Sequence, residues 1–272
     1  MKFLDHMTLG QYLPVDSLVH HLDPRCKILG VLVLMGALFV GDGAAAMGAW
    51  AGVFLALTTA SRIPVSVALR GARPVAILIF FTAAVNLFFS SGEPLWSWGM
   101  LRVSREGLVA AFSMSFRLFF LVLFAGFLTL TTSPMELADG LERLLSSLKR
   151  FGFPAHEMAM MMTIALRFIP TLLDETDRIL KAQLARGADL DRGGIWRRLK
   201  AFVPVLVPLF ILVFQRAEDL ATAMEARCYR GGDGRTRMHP LKWTARDSGA
   251  LGGLLLVAVA VCVLDARWPL LG

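Results

Sequence analysis

Two arginines, Arg186 and Arg227, close two related segments set 41 residues apart. Lys181-Ala182-Gln183-Leu184-Ala185-Arg186-Gly187 aligns with Thr222-Ala223-Met224-Glu225-Ala226-Arg227-Cys228, and an acid stands nine residues before each arginine, Asp177 and Glu218. Taken singly, arginine followed by a small residue is an ordinary helix C-terminus, because glycine accepts the left-handed conformation and arginine complements the helix dipole. Repeated at the ends of two successive helices, the pattern offers more. A guanidinium on a rigid helix tip can fork onto a partner's carboxylate with two parallel hydrogen bonds, which lysine cannot do. Such a pair can grip two subunits, or the two halves of a dimer.

Catalytic chemistry has no comparable foothold. The sequence contains no G-x-x-x-x-G-K-[ST] phosphate loop, no H-E-x-x-H and no G-x-S-x-G. The chain is therefore expected to be no enzyme and to bind no ATP, cofactor or metal of its own. The glycines at 231–234 lack a lysine and a strand–turn–helix setting, and read as a flexible turn. His6, His20, His21, His156 and His239 form no metal spacing, and the adjacent His20 and His21 point apart on a helix. Cys26, Cys228 and Cys262 make no CxxC pair. The N-terminus shows no short apolar run with a cleavage site, so no removable signal peptide is expected.

The elements that must position the arginines follow from composition. Of 272 residues, 56% are hydrophobic and 18% charged, against about 45–50% and about 25% in soluble domains. One soluble core of this size does not bury that much apolar surface, so the expected solvent is a bilayer. Disordered, fibrous and disulfide-stapled classes are excluded. A spanning helix takes about 20 mostly apolar residues. The uncharged runs 28–41, 43–61, 74–92 and 248–264, with the stretch 108–130 that Arg117 interrupts, give five spans. The stems of Arg25 and Lys27 extend the short first run by snorkelling. The run 201–215 carries Pro204 and Pro208 and leads into Arg216, Glu218 and Asp219. It is expected to pack against the bundle or the interface. The expected fold is thus all-α and polytopic. Residues 1–130 hold four spans, 131–247 a long cytoplasmic helical insert, and 248–272 the fifth span and an external tail.

The net charge of +7 then reads as an asymmetry across the membrane, not as a nucleic-acid footprint. With the N-terminus inside, 24 of 28 Lys and Arg are cytoplasmic, three are external and Arg117 lies within a span. That agrees with the positive-inside rule, and the expected location is the inner (plasma) membrane with the C-terminus outside. The insert holds 18 basic and 14 acidic residues. Ser133-Pro134-Met135-Glu136 opens a helix running to about Lys149, with an N-cap Ser, Pro at the first position and Glu three residues after the cap. Pro154 opens a second helix rich in methionine (Met158, Met160, Met161, Met162), and a charged third runs from about Pro170 to Ala185. A basic turn (Arg192, Arg197, Arg198, Lys200) leads into a fourth over 201–227.

On these residues the chain resembles the T component, the membrane scaffold of energy-coupling factor (ECF) transporters (the CbiQ/EcfT-like family). The resemblance covers nearly the whole chain. It runs through Gly10-Gln11-Tyr12-Leu13-Pro14-Val15-Asp16-Ser17, His21-Leu22-Asp23-Pro24-Arg25-Cys26-Lys27, Thr131-Thr132-Ser133-Pro134 and Ala165-Leu166-Arg167-Phe168-Ile169-Pro170. It ends with the two arginine blocks, the second continuing to Tyr229-Arg230-Gly231-Gly232. The resemblance implies a non-catalytic subunit of an ABC-type importer of vitamins or transition-metal ions such as cobalt and nickel. Ala185-Arg186-Gly187 and Ala226-Arg227-Cys228 are then coupling-helix ends. Each docks on one of two ABC-type ATPase subunits, which bind the ATP and Mg. A small membrane S component carries the substrate. The chain departs from the family pattern at Cys228, where glycine is usual.

Other residues carry weaker signals. The methionines at 158–162 suit a surface that accepts several partners, here the S component, and they also fill ordinary gaps. Arg117 is the one charge well inside a span; it marks a transport path or, as its isolation favours, fixes packing by facing the bundle. Gly48 and Gly52, and Gly249 and Gly253, have small-xxx-small spacing for close helix packing within the subunit. Trp50, Trp96, Trp98, Trp243 and Trp268 lie near span ends or in connections, and are expected to serve as interfacial anchors. Two other readings stay open. A stand-alone secondary transporter calls for repeated spans and more midplane polar groups than Asn86 and Arg117. A conventional ABC permease subunit, working as a dimer, needs only one coupling tip per chain.

Overall fold

The computed structural model describes residues 12–41, 43–89, 94–98, 101–188, 194–231 and 241–267. The chain divides into two compact units, one of residues 10–144 with 240–272 and the other built on 145–239.

The first unit begins with α1 (Pro24–Leu38), whose N-cap Asp23 accepts the backbone N–H of Arg25. Pro24 stands where a missing N–H costs nothing. Then come α2 (Ala44–Ser61), α3 (Val65–Arg70), a 3-10 turn (Arg73–Val75) and α4 (Ala76–Phe89). A short antiparallel hairpin, β1 (Pro94–Trp98) with β2 (Leu101–Ser104), leads to α5 (Arg105–Thr131). The expected capping box opens α6 (Pro134–Leu145): Ser133 Oγ accepts from the Glu136 N–H at 3.3 Å, and Glu136 accepts from the Ser133 N–H at 3.1 Å. This α-helix gives way at Ser146 to a 3-10 helix ending at Phe151, short of the α-helix expected to Lys149. The unit closes with α9 (Ala245–Arg267).

Its core is aromatic and lies where α1, α2, α5 and α9 meet. Leu34, Leu38, Trp50, Phe54, Phe120, Phe124 and Phe127 pack with Ala258 and Val261. Phe54 meets Phe120 and Phe124 edge-on at 5.9 and 6.1 Å between ring centroids. Helix association in lipid rests on such packing, because lipid tails are as apolar as the side chains themselves. Trp50 is only 1% exposed in this core and is not an interfacial anchor. The small-xxx-small glycines do not make the close contacts expected of them: a Cβ built on Gly48, Gly52, Gly249 or Gly253 meets nothing within 4 Å. Close approaches fall elsewhere, as at Gly140, where a Cβ would lie 2.9 Å from Pro24 Cβ, and at Gly30, where it would lie 3.0 Å from Leu254 Cδ1.

The second unit contains α7 (Ala155–Ala185) and α8 (Ile195–Ala226). The former is one helix of 31 residues, not the two expected, and keeps Pro170 in its interior. A proline there removes a single backbone hydrogen bond, and about four helical turns continue on either side of it. The 32 residues of α8 likewise contain Pro204 and Pro208. Arg197, Arg198 and Lys200 therefore sit in helix, not in a basic turn, while Arg192 lies outside the described residues. Of the Gly-rich stretch, only Gly231 is among them.

Among the described residues, four segments are long and apolar enough to cross a membrane by length and composition: Val65–Phe89, Arg105–Thr131, Leu199–Ala226 and Ala245–Asp265. The polytopic all-α class is as expected, with the apolar length distributed differently. The 201–215 run, expected only to pack at the bundle or interface, belongs to one of these four. The first two expected spans form helices of 15 and 18 residues.

Candidate coupling site

Both arginine-bearing ends fold in the same way. In α7 the chain leaves the helix through Arg186, and the N–H of Gly187 donates to the Leu184 carbonyl at 3.0 Å. The N–H of Ala188 donates to the Gln183 carbonyl at 3.0 Å. In α8 the exit is Arg227, with the Cys228 N–H on the Glu225 carbonyl at 2.8 Å and the Tyr229 N–H on the Met224 carbonyl at 3.0 Å. This paired pattern, six-to-one and five-to-two, is the Schellman motif, and it requires a left-handed residue just past the cap. Gly187 supplies φ 85° and Cys228 supplies φ 57°. Cys228 thus adopts the glycine geometry at a cost a Cβ normally forbids. Ala185, Arg186, Gly187, Ala226, Arg227 and Cys228 are all exposed. Neither guanidinium has a hydrogen bond or ion pair among the described residues.

The same two helices are pinned to each other farther back. Glu175 Oε1 accepts from Arg216 Nη2 at 3.2 Å. Glu175 precedes Arg186 by eleven residues, and Arg216 precedes Arg227 by eleven, so the helices are joined at repeat-equivalent positions about 16 Å along the axis from each tip. Met160 and Ile164 of α7 share a cavity of about 430 Å³ with Leu220, Met224 and Arg227 of α8. Rising numbers on one helix thus meet falling numbers on the other: the pair is antiparallel and the two tips point opposite ways. Within α7, Asp177 pairs with Lys181 and Glu175 also reaches Arg178 at 3.7 Å, both at helical spacing.

On the far side of the Glu175–Arg216 contact from each tip, the helices expose apolar surface. Met158, Met161 and Met162 are exposed on α7, Met161 to 59%, and Met160 faces the small cavity. On α8 the exposed residues include Phe202, Val203, Leu206, Phe210, Ile211 and Phe214. A patch of this kind exceeds what a soluble monomer leaves open and marks contact with a partner or with lipid.

A second polar constellation, built around the Asp23-Pro24-Arg25-Cys26-Lys27 block, lies in the first unit. Asp23 grips Arg25 in a fork, Nε to Oδ1 at 3.0 Å and Nη2 to Oδ2 at 2.8 Å. Asp247 Oδ1 accepts the Asp23 N–H at 2.8 Å, and its Oδ2 accepts the N–H and Oγ1 of Thr244 at 2.8 and 2.6 Å. Arg25 also lies 5.6 Å over the Trp243 ring. Lys27 Nζ donates to the carbonyls of His20 and Thr131 at 2.9 and 3.0 Å. Arg25 and Lys27 therefore do not snorkel: Lys27 is 7% exposed. The cluster ties the start of α1 to the end of α5 and the start of α9. Its signals in the sequence were Asp-Pro-Arg-x-Lys at a helix start and Thr-x-x-Asp at 244–247, a capping-box spacing.

Arg117 stands within α5, its guanidinium carbon 5.4 Å from the centroid of the Phe39 ring. That is a cation–π contact to the end of α1, in keeping with the packing reading. Among the described residues, no cluster of three or more His, Cys, Asp or Glu is placed to hold a metal ion.

These features define a multi-pass, predominantly helical membrane protein carrying two equivalent arginine-tipped helix ends. The family described as "Cobalt transport protein" matches residues 16–239. The chain is 61% identical over 262 residues to the energy-coupling factor transporter transmembrane protein EcfT of Thermanaerovibrio acidaminovorans, covering 96% of both chains. It is 49% identical over 265 residues to the same-named protein of Acidaminococcus fermentans, covering 97% of this chain and 98% of the other. For the Bacillus subtilis protein of that name the identity is 42% over 265 residues, covering 97% and 100%. The chain belongs to this transporter family and is a transmembrane component of it.

Proposed function

We propose that this protein is the coupling subunit of an ECF-type ABC importer. It transmits ATP hydrolysis, carried out by two partner ATPase subunits, to a small membrane S component that binds a vitamin or transition-metal ion. The chain itself carries no catalytic role. The observation that supports this most directly is the matched pair of Schellman ends bearing Arg186 and Arg227. Two equivalent tips suit two equivalent partners, each offering a carboxylate to a guanidinium fork.

The helix pair also supplies a lever. Each helix has an arginine tip on one side of the Glu175–Arg216 contact and exposed apolar surface on the other. Opening or closing of an ATPase pair gripping both tips turns the helices about that contact and moves the apolar arms in response. The S component rests on those arms, with Met158, Met161 and Met162 on one side, because flexible thioethers re-pack against different partners. On this reading the tips face the cytoplasm, where the basic residues concentrate, with the N-terminus inside and the C-terminus outside.

The test is the double variant Arg186→Glu/Arg227→Glu, followed by co-purification with the ATPase subunits and by ATP-driven uptake. Both are expected to be lost while the protein still inserts. Normal uptake by the double variant would overturn the assignment of the tips.

A further inference from the structure

Beside α1, the first unit encloses a groove of about 1010 Å³ bounded by α1, α2, the end of α5 and α9. Its walls are almost entirely apolar, from Val31 and Leu34 across to Val53, Leu254 and Val257. One end differs: there the lining includes Lys27, Arg246, Asp247 and His21.

The charges at that end are unevenly satisfied. Asp23 is held by Arg25, Asp247 by Asp23 and Thr244, and Glu136 by Ser133. His21 faces Asp16 at 3.4 Å. Lys27 is buried, yet its ammonium meets only two carbonyls and no carboxylate within 4 Å among the described residues. An ammonium has three N–H donors, and a buried charge without a counter-charge is costly. Arg246 is exposed at the same mouth, with no side-chain partner among the described residues. Two cations therefore line the same mouth, and Lys27, though within electrostatic reach of Glu136, Asp23 and Asp247, hydrogen-bonds no carboxylate among the described residues. From Arg246 to Val257 the groove follows α9 for eleven residues, about 16 Å of helix. One leaflet of hydrocarbon is about 15 Å deep.

We propose that this groove holds one anionic phospholipid, with its phosphate between Lys27 and Arg246 and an acyl chain lying along α1 and α9 toward Val257. Basic pockets between membrane helices bind anionic headgroups in this way. A zwitterionic lipid fits less well, because its own ammonium adds a positive charge beside Lys27 and Arg246. The inference rests on the membrane fold and is independent of the coupling role.

The test is native mass spectrometry of the full transporter complex, released from mixed micelles of phosphatidylglycerol, phosphatidylethanolamine and phosphatidylcholine. Wild type is expected to retain one phosphatidylglycerol. Arg246→Gln, at an exposed site, is expected to weaken retention about tenfold through loss of a charged hydrogen bond. In Gly253→Leu the side chain enters open groove space, since a Cβ there meets nothing within 4 Å. Retention is expected to vanish in that variant with the melting temperature unchanged. The proposal is overturned if wild type retains no phospholipid, if both variants retain it as wild type does, or if the zwitterionic lipids are held as tightly.

Discussion

Glu175 and Arg216 meet at 3.2 Å, and each lies eleven residues before the arginine that tips its own helix. The internal repeat therefore makes contact with itself at equivalent positions, an arrangement that gives two tips equal reach from one fulcrum. The side chains are 23% and 32% exposed, so the pair is partly screened and contributes about 1 kcal/mol or less to stability. Its larger role is register. Glu175→Arg is expected to lower ATP-driven uptake strongly by setting like charges opposite each other, with only a small fall in melting temperature. The charge-swapped double variant Glu175→Arg/Arg216→Glu is expected to recover much of the uptake. An unrescued double variant would show that this contact is not what sets the helix register.

The two helix ends also differ in one testable respect. Gly187 adopts its positive φ freely, whereas Cys228 holds φ 57° with a Cβ present. A left-handed non-glycine residue costs about 1–2 kcal/mol. Cys228→Gly is thus expected to stabilise the protein by about 1 kcal/mol, part of it offset by the greater freedom of glycine in the unfolded chain. Gly187→Ala is expected to destabilise by a similar amount. Thermal unfolding in detergent, followed by helical circular dichroism, checks both signs.

The sequence made the tips legible because a helix stop is written locally: arginine, then a small residue, with a left-handed turn beyond. The Ser133–Glu136 box was legible for the same reason. Helix continuity was not. Pro170 read as a boundary, yet it sits inside a long helix, because losing one backbone hydrogen bond is small beside the turns on either side. Trp50 misled as an aromatic residue of an apolar run, while it is buried in a core shared with Phe120 of α5 and Val261 of α9. The Asp23–Asp247 contact spans 224 residues, and no local pattern states such a pairing. Only the two capping signals, one at each end of it, were open to reading.

That long-range contact carries its own prediction. Asp247 is 2% exposed and accepts from the Asp23 N–H, the Thr244 N–H and the Thr244 hydroxyl. Removing the carboxylate strands the buried Asp23 N–H, at about 1–3 kcal/mol, whereas the donors of the exposed Thr244 can turn to solvent. Asp247→Ala is therefore expected to cost about 1–3 kcal/mol and to reduce the amount of folded protein in membranes. Asp247→Asn keeps the shape and one acceptor oxygen, and is expected to cost less. If alanine were tolerated as well as asparagine, by melting temperature and yield, the junction of α1 and α9 would owe nothing to this side chain.

Acidification acts on the segment just ahead of α1. His20 Nε2 faces the Leu13 carbonyl at 3.1 Å and Nδ1 faces the Ser17 hydroxyl at 2.6 Å. A carbonyl only accepts, so the neutral ring carries its proton on Nε2 and receives the serine O–H at Nδ1. Burial, and after it the nearby Lys27 ammonium, hold the pKa below the ordinary value near 6.5; His21 also opposes protonation, while the Leu13 carbonyl and Glu136 favour it less strongly. The sign follows from linkage. Below pH about 6.5 the unfolded chain takes up a proton that the folded chain resists, so stability is lost as pH falls toward the folded pKa and is fully present above about 6.5. His20→Gln removes that titration while keeping a side chain able to donate to Leu13. Its melting temperature is expected to fall less between pH 7 and pH 5 than that of the wild type. Parallel pH profiles for the two proteins would assign the acid sensitivity to other groups.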